Sequence, residues 1–435
     1  MSGKGPEQNS RRFGRPRRPS KHPLLKRRIL RDLRAARRKV RRLLRRQIRR
    51  QIRRQVRRWM AFVDAPSKRA FLKQKIFEIY IHIYEEQARL PALLRWVWVR
   101  RVGLSVRHLH GPKRVAYAPD ELVVVCLVRN GRPYIKSFID HYLSLGVKHI
   151  VFLDNDSDDD TVAVAQDHER VTVLQTKLPF KKYVFAMKQY LISRFGKGRW
   201  CLYVDSDELF DYPYSDVVSL NSLLRYLNEK SYTAVAAYQL DMFSDRALPS
   251  RMNNRDEPLK ELYKLYDISN IRRLEYRGPF GRKSNVIANE DIKIYKGGIR
   301  DVLFGVDPML TKHPLIFVDS EARHGDLGFH NIRNARIADF SCVLYHYKLI
   351  GGLQERIERD FQEGRLARRQ LAGRIKYRDV FERNPGISIR QDTTREIRSV
   401  NELIDNGFLV ASDEYRRWVE ARTENKLYRA DREGS

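Results

Sequence analysis

The chain has 435 residues, 42% of them hydrophobic, enough for one large or two ordinary domains with a substantial core. Its formal charge of +33 suggests a nucleic-acid binder only until the charge is located: residues 1–60 hold 21 Arg and 4 Lys against Glu7 and Asp32, so most of the excess belongs to an arm. Three cysteines, Cys126, Cys201 and Cys342, are far apart and each lies in an apolar run, which argues against a disulfide framework and for a reducing compartment.

Taken in order, residues 1–23 are rich in Gly, Pro, Ser and Arg and are expected to form a disordered basic tail. From Leu24 to Trp59, Ile29, Leu33, Val40, Leu44, Ile48, Ile52 and Val56 recur mostly every fourth residue among arginines, culminating in "RRQIRRQIRRQVRRW". The spacing predicts a basic amphipathic helix whose narrow apolar stripe winds slowly around its axis. Ala70 to Leu104 mixes aliphatic, aromatic and charged residues and is interrupted at Pro91. It reads either as a helical hairpin covering the next domain or as an interfacial pair, since Trp96 and Trp98 flanked by Arg95, Arg100 and Arg101 suit a membrane boundary. Residues 24–114 are thus expected to be helical, with a domain boundary near 115 where "HGPKRVAYAPDE" turns polar. No early stretch resembles a secretory core, and runs such as "LVVVCLV" are too short to span a bilayer, so the chemistry is expected in the cytoplasm.

The grammar then changes to apolar runs that end in polar clusters. "ELVVVCLVRN", "KHIVFLDNDSDDDT", "VTVLQT", "RWCLYVDSDELF" and "TAVAAYQL" read as strands, with helices in "RPYIKSFIDHYLSLGV" and "YVFAMKQYLISRFG". Strand alternating with helix implies an α/β domain with a mostly parallel sheet flanked by helices, whose ligands collect at the carboxyl ends of the strands. In "YVDSDELF", strand alternation through Val204 would send Asp205 and Asp207 to one side, a pair of hard oxygen ligands suited to Mn2+ or Mg2+. The "DNDSDDDT" run fails as a calcium loop, because Asp159 stands where glycine is needed and Ala165 where a bidentate glutamate is needed. A zinc site built from His324, His330, Cys342 and His346 lacks any paired ligand spacing. Phosphate-binding, dinucleotide and hydrolase signatures are absent from the sequence.

Taken together and in order, "VCLVRNGRPYIKSFIDHYLSLGVKHIVFLDNDSDDDT", "WCLYVDSDEL", "YKGGIRDVLFGVDPMLTKHPL" and "LYHYK" resemble bacterial family-2-type glycosyltransferases with a GT-A fold, over roughly residues 120–350. Two positions depart from the family pattern: Gly131 replaces an acid and Asp160 a glycine. The resemblance implies a GT-A domain over 115–350, with 351–435 a C-terminal helical extension. It implies a nucleotide pocket lined by Arg129, Asn130, Asp154 and Asn155, to which Asp156 and Lys188 are added. It also implies a metal pair Asp205 and Asp207 joined by His346, and phosphate-binding cations Arg300, Lys312 and Lys348. Asp241, at the end of "TAVAAYQL", is the leading candidate for the base that an inverting reaction needs, with Asp245, Asp301 and Glu208 competing. The polar loop 244–270 is a candidate acceptor lid.

The expected activity is a metal-dependent transfer from a nucleoside-diphosphate sugar to a glycan, lipid-linked or protein acceptor. The arm is expected to rest on an anionic membrane surface, with a protein partner or nucleic acid as competitors. The other classes of function are a nucleic-acid-binding protein with a divalent-ion nuclease or degenerate enzyme domain, and a membrane-surface scaffold with an inactive transferase domain.

Overall fold

The computed structural model describes residues 92–433 apart from 247, 249–255, 257, 278–283, 319–321, 325–328 and 365–367. The tail, the arginine repeat and most of the aromatic-rich segment lie outside the described residues, as do 247, 249–255 and 257 of the 244–270 loop.

The sheet has eleven strands: β1 (Arg107–His110), β2 (Val123–Val128), β3 (His149–Asp154), β4 (Val171–Gln175), β5 (Trp200–Tyr203), β6 (Glu208–Asp211), β7 (Ala234–Asp241), β8 (Val286–Ile287), β9 (Thr311–Lys312), β10 (Leu315–Phe317) and β11 (Arg336–His346). Their order is β1-β4-β3-β2-β5-β10-β7-β11-β8, with β9 beside β7 and β6 beside β11. The ladders β4–β3–β2–β5 and β7–β11–β8 are parallel, whereas β1, β6, β9 and β10 run antiparallel to their neighbours. Every residue of β2, β3 and β7 is buried, as befits strands covered on both faces. This is the expected α/β class with a mostly parallel core.

One face of the sheet packs against α2 (Ile135–Ser144), α5 (Leu220–Glu229) and α9 (Asp413–Glu433), through residues such as Phe138, Tyr142, Leu223, Tyr226 and Tyr415. The other packs against α4 (Phe180–Phe195) and α1 (Ala92–Ser105), through Tyr183, Met187, Leu191 and Val102. A third cluster joins α6 (Ile299–Phe304), α7 (Leu353–Glu363) and α8 (Arg368–Arg383) around Phe304, Ile357, Tyr377 and Phe381. A short α3 (Thr161–Gln166) follows the acidic loop after β3.

Neither expected boundary interrupts the packing. β1 pairs with β4, and the Trp98 ring of α1 lies 5.7 Å from that of Tyr183, so residues 92–110 belong to the sheet domain. The C-terminal extension is equally built in: Ser341 donates from its backbone to Val410 at 2.8 Å, and Tyr415 stacks on Phe340 at 4.3 Å. Composition marks the polar turns at these places but carries no information on what the flanking apolar faces cover. Among the described residues no helix is long and apolar enough to cross a membrane.

The two departures from the family pattern have local explanations. A Cβ on Gly131 would meet Val128 Cγ2 at 2.5 Å, so this backbone has no room for a side chain unless Val128 moves. Asp160 has φ −73°, an ordinary conformation that needs no glycine.

Candidate active site

The polar clusters meet along the carboxyl ends of β2, β3, β5, β7 and β11. After β3 the chain turns through Asp154, whose carboxylate is fully buried. It accepts from the Asp156 and Ser157 amides at 3.1 and 3.2 Å, from the Ser157 hydroxyl, and from Gln175 Nε2 at 3.0 Å. Asn155, 1% exposed, donates to the carbonyls of Thr176 and Leu178 at 2.8 and 3.0 Å. These two expected nucleotide ligands are therefore spent on shaping the loop. Arg129, Asn130 and Asp156 are half-buried and reach the surface of the loop. Arg129 donates to the Asn155 carbonyl at 3.3 Å and bridges Asp158 and Glu363 at 3.2 and 3.3 Å. Asn130, at φ +50°, exchanges hydrogen bonds with Asp158. Asp156 pairs with Lys177 at 3.0 Å.

β5 ends at Tyr203, two residues before Asp205, so strand alternation does not govern the DxD segment, and its two acids take different partners. Asp205 accepts from Lys188 Nζ at 3.3 Å and Lys312 Nζ at 2.8 Å. Burial raises its carboxyl, but the two ammonium groups outweigh that and hold it far below the usual carboxylate range. Lys188, expected at the nucleotide, lies instead behind Asp205, 4.6 Å above the Tyr203 ring, which itself stacks on Phe329. Lys312, expected at phosphate, is likewise committed: it also meets Glu208 Oε1 at 2.5 Å, and Glu208 in turn takes a hydrogen bond from Gln239. Burial would lower the Lys312 ammonium, yet Asp205 and Glu208 raise it above its ordinary value.

Asp207 has other partners, although the Asp205 charge acts on it. Its Oδ2 lies 3.5 Å from His346 Nε2, while His346 Nδ1 is 2.6 Å from Asp241 Oδ1 and Asp241 Oδ2 accepts from Arg300 Nε at 2.7 Å. Two consecutive left-handed glycines, Gly297 and Gly298, swing the chain into α6 and aim Arg300 inward, and at Gly297 a Cβ would stand 3.0 Å from the Asn270 carbonyl. Parallel pairing of β7 with β11 puts His346 directly opposite Asp241. The Asp241 carboxylate, 6% exposed, has both oxygens occupied, and Arg300 and His346 overcome burial to keep it ionised at low pH. Asp241, expected as the base, is here engaged through both oxygens, one on His346 and one on Arg300, an arrangement that orients a histidine. The competitors are also engaged, Asp245 with Arg390, Asp301 with Arg272 and Glu208 with Lys312.

Among the described residues no group of three or more His, Cys, Asp and Glu side chains is gathered around one point. A pair suffices for a hard cation that takes one or two protein ligands and completes its shell with water and substrate phosphate. Neighbouring ligands at about 2.1 Å from such an ion stand about 3 Å apart, close to the Asp207–His346 separation of 3.5 Å. The donor set of one carboxylate and one imidazole backed by a second carboxylate fits Mn2+ or Mg2+. Asp205, expected beside Asp207 at the metal, is held here by Lys188 and Lys312.

Burial lowers the basicity of His346, but the Asp207 charge and hydrogen bonds to Asp207 and Asp241 raise it above the ordinary value near 6.5. Since only neutral imidazole ligates, Mn2+ affinity is expected to climb as pH rises through that raised pKa, and to flatten above it. Mn2+ titrations between pH 6 and 9 test this; a pH-independent affinity would remove His346 from the metal site.

Sequence reasoning missed Gln239, Glu363, Arg374 and Tyr377. Gln239 was detectable as a lone polar residue inside an apolar strand, whereas the tail residues carry no motif that ties them to the site.

No family model and no curated protein sequence matches the chain. Among solved structures it is similar to the mannosyltransferase PcManGT from Pyrobaculum calidifontis, in complex with GDP-Man and Mn2+, at 20% identity over 37% of this chain and 46% of that one, with a TM-score of 0.23. It is similar to glucosyl-3-phosphoglycerate synthase from Mycobacterium tuberculosis at 20% identity over 30% of this chain and 51% of that one, with a TM-score of 0.21. Similarity to HddC from Yersinia pseudotuberculosis is 11% over 30% of this chain and 64% of that one, with a TM-score of 0.20. The chain spans about half the length of the first two structures.

Proposed function

We infer that the chain is a GT-A glycosyltransferase that moves a sugar from a nucleoside-diphosphate donor with the help of Mn2+ or Mg2+. The observation that carries the reading is the line Asp207–His346–Asp241–Arg300 at the carboxyl edge of the sheet, beside the polar loops after β2 and β3. A divalent ion held by Asp207 and His346 would supply counter-charge to the departing diphosphate. Asp241 fixes the imidazole tautomer so that Nε2 faces Asp207, and Arg300 keeps Asp241 ionised. Arg129, Asn130 and Asp156 offer a hydrogen-bonding surface to the nucleoside, and Lys348, whose charge acts on Asp207, is the remaining cation beside the metal pair. Lys188 and Lys312 hold Asp205 in place from within. No carboxylate base belongs to this proposal, so the inverting outcome implied by the family resemblance loses its candidate.

The acceptor class, a glycan, lipid-linked or protein hydroxyl, follows the resemblance alone. Peripheral attachment to an anionic membrane is supported by α1, where Trp96, Val97, Arg100, Arg101 and Leu104 share one exposed face, with Arg100 placed 5.2 Å over the Trp96 ring. Sugar nucleotides screened by thermal shift and by hydrolysis, with and without Mn2+, test the central reading. One donor is expected to stabilise the protein only with metal, and a chain indifferent to every nucleotide would be no transferase.

A further inference from the structure

Two buried groups beside the site are short of acceptors. Arg300 Nη2 and the Tyr377 hydroxyl are both closed to solvent and make no well-formed hydrogen bond, and their residues are only 7% and 3% exposed. They are neighbours: Tyr377 of α8 packs its ring on Phe304 of α6 at 4.3 Å, and the guanidinium acts on the phenol through its charge and, more weakly, a hydrogen bond. With Nη2 directed at the phenol oxygen, the phenol proton still has no acceptor in the fold. Buried polar groups in a finished interior are almost always paired, so this open donor points to an acceptor that comes from outside the fold.

The surroundings say what kind of acceptor. Among the described residues the Lys348 ammonium makes no hydrogen bond or ion pair. Its charged neighbours are mostly cations, Arg374, Arg300 and Arg356, with Asp207 the one opposite charge. Arg374 is fixed by Asp360 at 2.7 Å, and Arg356 is spent on the carbonyls of Gly351, Ile350 and Lys348. Arg300 has Asp241 on its Nε and Arg374 has Asp360, yet cations outnumber anions around the open phenol proton and the Lys348 ammonium.

We propose that Arg300, Lys348, Arg374 and Tyr377 form a seat for an oxyanion of the acceptor, a phosphate or a carboxylate, supplied in part by the C-terminal helix α8. The assignment to the acceptor rests on the transferase reading. A donor nucleotide lies over the ends of β2 and β3 and reaches metal at Asp207. Arg300 is anchored on Asp241 at the end of β7, three positions from β2 in the sheet order, or about 14 Å at the usual strand spacing, and next to the proposed metal ligand His346 of β11. The diphosphate has its own counter-charge in the metal, and the seat beside it, lined by α6 and α8, is left for the second substrate.

The full chain is titrated with sulfate, as a phosphate-like probe, and with acetate, each with and without saturating Mn2+ and UDP or GDP, whichever the donor screen selects. Thermal shift gives the affinities. Sulfate or acetate is expected to bind equally well whether or not nucleotide is bound. Tyr377→Phe, which keeps the ring on Phe304, is expected to weaken the anion roughly tenfold and leave nucleotide affinity unchanged. A dominant sulfate response assigns phosphate, and an equal or stronger acetate response assigns carboxylate. Mutual exclusion of anion and nucleotide would overturn the proposal, because the seat would then be the donor's. Absence of any anion effect in a protein that still binds nucleotide and Mn2+ also overturns it, and leaves the transferase reading standing. Tyr377-dependent anion binding in a protein that takes no nucleotide would overturn the acceptor assignment together with that reading.

Discussion

Replacing either Asp207 or His346 with alanine is expected to cost about a thousandfold or more in sugar transfer, because the counter-charge to the leaving diphosphate is worth several kcal/mol and each residue is half of the protein's grip on the metal. Both variants should fold: Asp207 is at a strand-to-strand turn, and His346 is the last residue of β11. Asp205→Asn separates two accounts of the DxD segment. If both acids ligate metal, it should behave like Asp207→Ala. With Asp205 bound to Lys188 and Lys312 instead, it should keep Mn2+ affinity near wild type and lose stability. Mn2+ titration of the three variants alongside circular dichroism decides the matter, and full activity of His346→Ala would sink the metal assignment.

Lys312→Met is expected to be the most destabilising single change at the site, by about 3–5 kcal/mol, since it strands Glu208, 1% exposed, and weakens the hold on Asp205. Methionine approximates the lysine stem in length and packing, so the loss reports the missing charge rather than a cavity. Adding Glu208→Gln to Lys312→Met should recover a large part of the loss, because the uncompensated carboxylate is gone. Denaturant unfolding of the four proteins in this cycle gives the coupling. Additive single effects would mean that the pair contributes nothing as a pair.

What was legible in the sequence was the set of apolar runs ending in polar residues. β2, β3, β4, β5 and β7 fall where the runs fall, and β7 ends at Asp241 as its pattern indicates. Burial on both faces writes a continuous apolar run that survives without context. Direction at the strand ends did not survive: Asp205 and Asp207 were expected to point together on the premise that β5 continues to Val204, but pairing stops at Tyr203. Asp154 and Asn155 look identical in sequence whether they face a nucleotide or brace a loop, and only the donors arriving from Ser157 and Gln175 tell them apart. Tyr377 and Arg374 were invisible for another reason, since an amphipathic tail helix records that it packs, but not against what.

The sheet order fixes a lever arm. β1 stands at one edge, and β11 is seven positions away toward the other, which is roughly 34 Å at the usual strand spacing. A surface that docked at the β1 edge would leave the Asp207–His346 pair at that remove. An acceptor rooted in such a surface would need a stalk of comparable reach, which would make acceptor length a selectable property of the attachment rather than of the pocket.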